Sequence, residues 1–156
     1  MKIRTGLVLA SILVAACNVK TKTEDAKQTP PPIMGTWQLI SGTTIEKGDT
    51  AVTDYTQKLS FIKIINDTHF AFLKHDLNKG KDTATASFGS GGGSYTLTDS
   101  SYTEHLEYCN DRQWEGNDFT FTVTIKNDTL IQSGIEKVEN AGINRINIEK
   151  YIRVKK

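Results

Sequence analysis

Apolar and polar residues alternate over several segments of this chain, as they do along half-buried β-strands. Residues 118–126 give the clearest case, because large apolar residues there alternate with threonines. In residues 57–65 the alternation changes phase between Phe61 and Ile62, which predicts a bulge or burial of both faces. From Gly35 onward no segment shows a helical period, so the chain is predicted to be all-β. Eight strands are expected, at residues 35–45, 57–65, 68–75, 93–98, 101–109, 118–126, 129–136 and 144–154.

The connections between these strands alternate between short and long. Three are tight turns rich in Asn and Asp, which tolerate the positive φ that such turns need, at Asn66-Asp67, Asp99-Ser100 and Asn127-Asp128. The others are longer, at about residues 46–56, 76–92, 110–117 and 137–143. Alternate loops of an up-and-down sheet lie at opposite ends, so one end should be closed by tight turns and the other should carry the long loops. An eight-stranded up-and-down antiparallel barrel is predicted, and a two-sheet β-sandwich is the alternative.

The strand at residues 101–109 places one carboxylate on an otherwise apolar and aromatic face. Side chains alternate between the faces of a strand, so one face carries Tyr102, Glu104, Leu106 and Tyr108. If this face points inward, Glu104 needs a partner, because an unpaired buried carboxylate is costly. It is then either half of a structural ion pair with Arg145 or Arg153, or a group that orients a ligand. The remaining alternative is that the strand faces the other way.

Residues 1–16 are predicted to be a signal peptide, because two cationic residues precede an apolar run too short for a permanent transmembrane helix. The run ends in Leu-Val-Ala-Ala-Cys, with Cys17 last, and resembles the lipobox of bacterial lipoproteins. The resemblance implies cleavage before Cys17 and a diacylglycerol on its thiol; an ordinary secretory peptide is the alternative. Residues 17–34 are polar, contain a proline run and predict a disordered tether, which leads into the barrel domain at residues 35–156.

Charge and cysteine content narrow the classes of partner. Loss of Lys2 and Arg4 with the signal peptide leaves 17 of the 19 Lys and Arg against 18 Asp and Glu, a net charge of −1. This balance argues against a nucleic-acid partner, which would need a basic face. With Cys17 acylated, Cys109 is the only free thiol, so no intramolecular disulfide is expected.

The sequence predicts no metal, cofactor or catalytic site. His69 and His75 share a strand face but lie about 20 Å apart at about 3.3 Å per residue, so they cannot bind one ion. The glycines of residues 89–93 lack the last glycine of the dinucleotide fingerprint, and no helix follows them. Cys109 has no basic neighbour in sequence that would activate it. The protein is therefore expected to be non-enzymatic.

Residues near the start and the end of the barrel domain resemble those of a known family. Gly35-Thr36-Trp37 at the start of the first strand and Arg153 near the end of the last resemble lipocalin and calycin barrels. The resemblance implies that Trp37 closes the barrel floor and that Arg153 packs across it; the loop count also puts both at the tight-turn end. Residues 67–72, 91–95 and 102–108 are similar to small bacterial lipocalin-like domains of lipoproteins, a family largely of unknown function.

These features together predict a lipid-anchored protein of the bacterial cell envelope, on the outer membrane or a periplasmic face. Its barrel is expected to bind a small apolar or amphipathic ligand through Tyr95, Tyr102, Glu104 and Tyr108. The alternative is an interaction module whose barrel is filled by side chains and whose long loops, one of which carries Trp114, bind another envelope protein. The volume of the interior distinguishes the two hypotheses.

Overall fold

The computed structural model describes residues 33–155, so the predicted signal peptide, the predicted lipidation site Cys17 and most of the predicted tether lie outside the described residues. Residues 33–155 form nine β-strands and two short 3₁₀-helices. The strands are β1 (Gly35–Glu46), β2 (Asp49–Asp54), β3 (Leu59–Ile65), β4 (His69–Asp76), β5 (Phe88–Thr98), β6 (Ser101–Cys109), β7 (Asn117–Lys126), β8 (Thr129–Val138) and β9 (Ile143–Arg153). The 3₁₀-helices are η1 (Arg112–Trp114) and η2 (Glu139–Ala141). No helix in this part of the chain has the length and apolar character needed to cross a bilayer.

Eight of the strands close into a single antiparallel barrel. Neighbouring strands pair in chain order from β3 to β9, and β1 closes the ring by pairing with β3 on one edge and with β9 on the other. β2 lies outside the ring, because it pairs with the second half of β1 alone. Closure removes the open edges that a flat sheet would expose. The predicted eight-stranded up-and-down barrel is confirmed, and the two-sheet sandwich is not formed.

The segment predicted as a long loop at about residues 46–56 contains a strand, so that prediction is wrong. β1 and β2 form a hairpin around Lys47 and Gly48, whose φ values are 52° and 88°. All residues of β2 are exposed. A strand with no buried face needs no alternation of apolar residues, so this segment offered no pattern from which a strand could be predicted. The β6–β7 and β8–β9 connections lie where they were expected. The predicted loop at residues 76–92 is too long, because β5 begins at Phe88 and its glycines pair with β4.

Tight turns and an aromatic residue close one end of the barrel. The turns at Asp99 and at Asn127-Asp128 use φ values of 54°, 49° and 59°, which Asn and Asp adopt more readily than most residues. Arg153 crosses this floor with its guanidinium carbon 4.0 Å from the centre of the Trp37 ring. The indole nitrogen of Trp37 donates a 2.7 Å hydrogen bond to the backbone oxygen of Ile33, so the chain enters the barrel at its closed end.

Polar side chains occupy inward positions on several strands, among them β3, β8 and β9. In β3, Lys63 is buried between the inward-facing Phe61 and Ile65, whereas Ile64 points outward and is 42% exposed. The predicted bulge is absent, because the β3–β4 register is continuous from Leu59 to Ile65. The apparent phase change therefore comes from an inward-facing lysine. β8 and β9 also place polar side chains inward, at Gln132, Glu136, Asn147 and Glu149.

Candidate functional site

The barrel encloses a cavity of about 560 Å³ that reaches the long-loop end. Part of its lining is aromatic and includes Tyr55, Phe61, Phe72, Trp114, Phe119 and Phe121. Much of the rest is charged or amide-bearing and includes Lys63, Glu104, Gln132, Glu136, Arg145, Asn147 and Glu149. A cavity of this size does not fit the alternative of a barrel filled by side chains.

A buried ion pair joins β3 to β6. Lys63 Nζ lies 2.5 Å from Glu104 Oε1, and the two side chains are only 3% and 8% exposed. Lys63 also donates to the side-chain oxygen of Gln132 at 3.2 Å, and three aromatic rings surround its Nζ at 5.7, 6.0 and 5.5 Å. Burial raises the pKa of Glu104, and Lys63 opposes that rise. Glu104 faces inward as predicted, but its cationic partner is Lys63; the suggested partners Arg145 and Arg153 are wrong.

A second ion pair, between Glu136 and Arg145, joins the neighbouring strands β8 and β9. Arg145 Nη2 lies 2.7 Å from Glu136 Oε2, and the Asn147 amide donates to the other carboxylate oxygen at 2.7 Å. Burial raises the pKa of Glu136, and Arg145 opposes the rise. The Arg145 guanidinium lies 5.5 Å from the centre of the Trp114 ring, which packs against Phe119. Trp114 therefore folds back over the cavity at its mouth.

Glu149 connects the first ion pair to the floor. Its Oε2 accepts 2.7 Å hydrogen bonds from the amide of Gln132 and from the hydroxyl of Tyr151. Since Gln132 also accepts from Lys63, one hydrogen-bonded chain runs across the barrel from Glu104 to Tyr151. Burial, followed by the negative charge of Glu149, raises the pKa of Tyr151, so this phenol remains a hydrogen-bond donor.

Two of the predicted ligand-binding residues lie below the cavity and do not line it. Tyr102 is fully buried beside Glu104, and burial raises the pKa of its hydroxyl. Its ring packs against that of Tyr95, with 5.2 Å between the ring centres. The Tyr95 hydroxyl donates to the backbone oxygen of Asn66 in a floor turn. Both tyrosines support the base of the site from beneath.

A bulge in β6 reverses the orientation of the fourth predicted residue, Tyr108. The β5–β6 register shifts so that Gly92 pairs with Tyr108 while Gly93 pairs with Leu106. Beyond this bulge Tyr108 faces outward and is 68% exposed, and Cys109 lines the cavity in its place. The predicted inward orientation of Tyr108 is therefore wrong, because regular alternation does not continue through a bulge.

Sequence reasoning missed most polar residues of the cavity, among them Lys63, Gln132, Glu136, Asn147 and Glu149. A signal for Lys63 was present. It lies at even spacing from Phe61 and Ile65, and an inward Glu104 required a cation. The residues of β8 and β9 carried no such signal, because isoleucines occupy the alternate positions and indicate the opposite face.

The side chains around the cavity are suited to binding a polar group. Among residues 33–155, no group of three or more His, Cys, Asp and Glu side chains is arranged to hold a metal ion. Burial raises the pKa of Cys109, which keeps its thiol protonated and weakly nucleophilic. The arrangement supplies fixed hydrogen-bond donors and acceptors beside aromatic rings.

Comparisons with known proteins bear on the family and on the fold. The family model described as a domain of unknown function (DUF4488) matches residues 32–156. No curated protein matches the chain. Among solved structures, the crystal structure of a mutant of the fluorescent protein UnaG is 10% identical; the match covers 80% of this chain and 97% of that one, with a TM-score of 0.37. A likeness this distant carries no argument about function.

Proposed function

This chain belongs to the family described as a domain of unknown function (DUF4488), and we propose that it is a non-enzymatic binding protein whose barrel takes up a small amphipathic molecule. The observation that carries the proposal is a cavity of about 560 Å³ with a hydrogen-bonded network of charged side chains in its wall. Volumes of about 300–1,000 Å³ are usual for small-molecule sites. The network fixes where the polar end of such a molecule would lie.

The polar lining favours an amphipathic ligand over a purely apolar one. A wholly apolar molecule would displace water from the charged side chains without replacing its hydrogen bonds, which is unfavourable. A polar group placed against the network retains those hydrogen bonds, while the rest of the molecule packs against Phe61 and Phe72. These two rings lie on β3 and β4, are stacked with their centres 5.7 Å apart and offer apolar surface to the cavity.

We also propose that Cys17 carries a lipid that holds the protein in the bacterial cell envelope. Cys17 lies outside the described residues, and the support comes from the resemblance of its surroundings to a lipobox. The described chain enters the barrel at the closed end, where Ile33 accepts the hydrogen bond from Trp37. A tether attached there would leave the mouth directed away from the membrane. A Cys17→Ser variant should leave the membrane fraction, and its retention there would contradict the anchor.

Native mass spectrometry of the full chain, purified without denaturation from the cells that produce it, tests the binding proposal. The expected result is an additional small-molecule mass that is lost when the protein is denatured. Thr44 lines the cavity, so Thr44→Trp should obstruct it and reduce the adduct. Thr43, the next residue on β1, does not line the cavity, so Thr43→Trp should retain the adduct. A wild-type protein without the adduct, or an adduct undiminished in Thr44→Trp, would contradict the proposal.

A further inference from the structure

The charged side chains of the network carry more negative than positive charges. Glu104 is paired with Lys63, and Glu136 is paired with Arg145. Glu149 is the third carboxylate of the network, and within residues 33–155 its hydrogen-bond partners are neutral and no cation pairs with it. At the mouth, Lys74 and Asp111 also line the cavity, and they add one positive and one negative charge, so they do not change the sum. One negative charge in the wall is therefore left over.

The hydrogen bonds of Glu149 leave half of its carboxylate available. Gln132 and Tyr151 both donate to Oε2, and Oε1 accepts no hydrogen bond from the part of the chain that the structure describes. A carboxylate has about four acceptor positions, so Glu149 keeps acceptor capacity in the cavity wall. Its charge also acts on the neighbouring acids. After burial, the charge of Glu149 is the largest effect that raises the pKa of Glu104 and of Glu136.

Aromatic rings lie close to this carboxylate. Gly42 of β1 pairs directly with Glu149, and Tyr55 packs over that glycine, since a Cβ at Gly42 would lie 3.2 Å from the Tyr55 ring. The Tyr55 ring contacts that of Phe61 edge-on, and the Phe61 ring lies 6.4 Å from that of Tyr151. The faces of aromatic rings attract cations. A carboxylate oxygen with spare acceptor capacity and such rings nearby is suited to an ammonium group.

We propose that the molecule bound in the cavity is an organic cation, an amine with an apolar body, whose ammonium group pairs with Glu149 Oε1 and whose body packs against Tyr55 and Phe61. This inference rests on the proposed function and names the class of molecule bound. An anion at the same place would be repelled by Glu149. Lys63 and Arg145 would not compensate for that repulsion, because each is already engaged by a carboxylate.

Calorimetric titration of the purified full chain with three indole compounds tests the assignment. Tryptamine, tryptophol and indole-3-acetate share the indole body and end in a cation, a neutral hydroxyl and an anion. At neutral pH tryptamine should bind at least about ten-fold more tightly than tryptophol, since a hydrogen bond between charged groups is markedly stronger than a neutral one. Indole-3-acetate should bind most weakly.

A matched pair of variants locates the preference at Glu149. Glu149→Gln keeps an oxygen that accepts from Gln132 and Tyr151 but removes the charge, so the preference for tryptamine should disappear. Asp99→Asn removes one negative charge from a floor turn whose φ of 54° suits Asn, and it should leave the preference unchanged.

Each contrary outcome has a separate meaning. Equal binding of tryptamine and tryptophol, or a preference that survives in Glu149→Gln, would overturn the cation assignment and leave the binding function intact. Failure of all three compounds to bind would also overturn the assignment. A small-molecule adduct in native mass spectrometry would then show that the proposed function survives, and its absence would show that both proposals fail.

Discussion

Replacing Lys63 by methionine tests whether the ion pair inside the barrel behaves as a buried pair. Lys63 Nζ and Glu104 Oε1 are 2.5 Å apart, which corresponds to about 7 kcal/mol of attraction at an effective dielectric constant of about 20. Much of this attraction offsets the cost of removing two charges from water. Removal of the lysine alone leaves Glu104 desolvated and unpaired. Lys63→Met should therefore lower the free energy of unfolding by about 3–5 kcal/mol.

A second substitution in the same background separates the charge effect from packing. Methionine still fills the space between the rings of Phe70, Phe121 and Tyr151, so little packing is lost. The double variant Lys63→Met, Glu104→Gln removes both charges and should be more stable than the single variant by at least about 2 kcal/mol. Urea unfolding followed by tryptophan fluorescence measures all three free energies. A loss below about 1 kcal/mol in the single variant, or a double variant no more stable than the single one, would refute the reasoning.

The same ion pair predicts how the free energy of unfolding changes with pH. Burial raises the pKa of Glu104, so the folded protein holds this proton more tightly than the unfolded chain does. The resulting contribution to stability is fully present below the ordinary glutamate pKa of about 4.3 and is lost as the pH rises through the raised value. Lys63→Met removes the main group that opposes the rise. The variant should therefore lose stability more steeply than the wild type from about pH 5 to about pH 7, and the double variant should not.

Three further predictions concern the wall, the floor and the mouth of the barrel. A Cβ at Gly93 would lie 1.9 Å from the backbone of β6, so Gly93→Ala should cost at least about 2 kcal/mol in urea unfolding. Gly89→Ala, which meets only a flexible lysine side chain, should cost under about 1 kcal/mol, and equal losses would contradict the close approach. Arg153→Ala should cost about 1–2 kcal/mol in the same assay, because it removes the contact with the floor indole and the hydrogen bond to the Met34 backbone oxygen. A loss no larger than that of Lys155→Ala on the surface would argue against these floor contacts. Burial raises the pKa of Cys109, so its thiol should be alkylated more slowly at about pH 8 than a cysteine in an unstructured peptide. Mass spectrometry of the digested protein measures the rate, and equal rates would contradict the raised pKa.

The barrel could be predicted from sequence because most of its strands and turns carry local signals. β6 has the bounds that alternation predicts, Ser101–Cys109, and the turns that follow β5 and β7 are the Asp- and Asn-containing pairs expected there. β2 could not be predicted, because every residue of Asp49–Asp54 is exposed and its position depends on pairing with β1. An exposed strand leaves no hydrophobic pattern in the chain.

The candidate site was harder to predict because its residues reverse the usual pattern. In β8, Gln132 is 1% exposed, whereas Ile135 is 62% exposed, so hydrophobicity alone selects the wrong face. Such a reversal is stable only because partners on other strands satisfy the inward polar groups, and those partners are distant in sequence. Tyr108 shows a second limit. Its orientation follows from a bulge where the Gly93 backbone lies against β6, a contact that the sequence of one strand does not reveal.

A crystal structure of the full chain soaked with tryptamine tests the central claim most directly, that the interior of the barrel is a site for a small amphipathic molecule. The account predicts electron density for the compound inside the barrel, with its amine within about 3 Å of Glu149 Oε1 and its indole against Phe61. An interior closed by side chains would contradict the central claim, and tryptamine bound only on the outer surface would contradict the cation assignment.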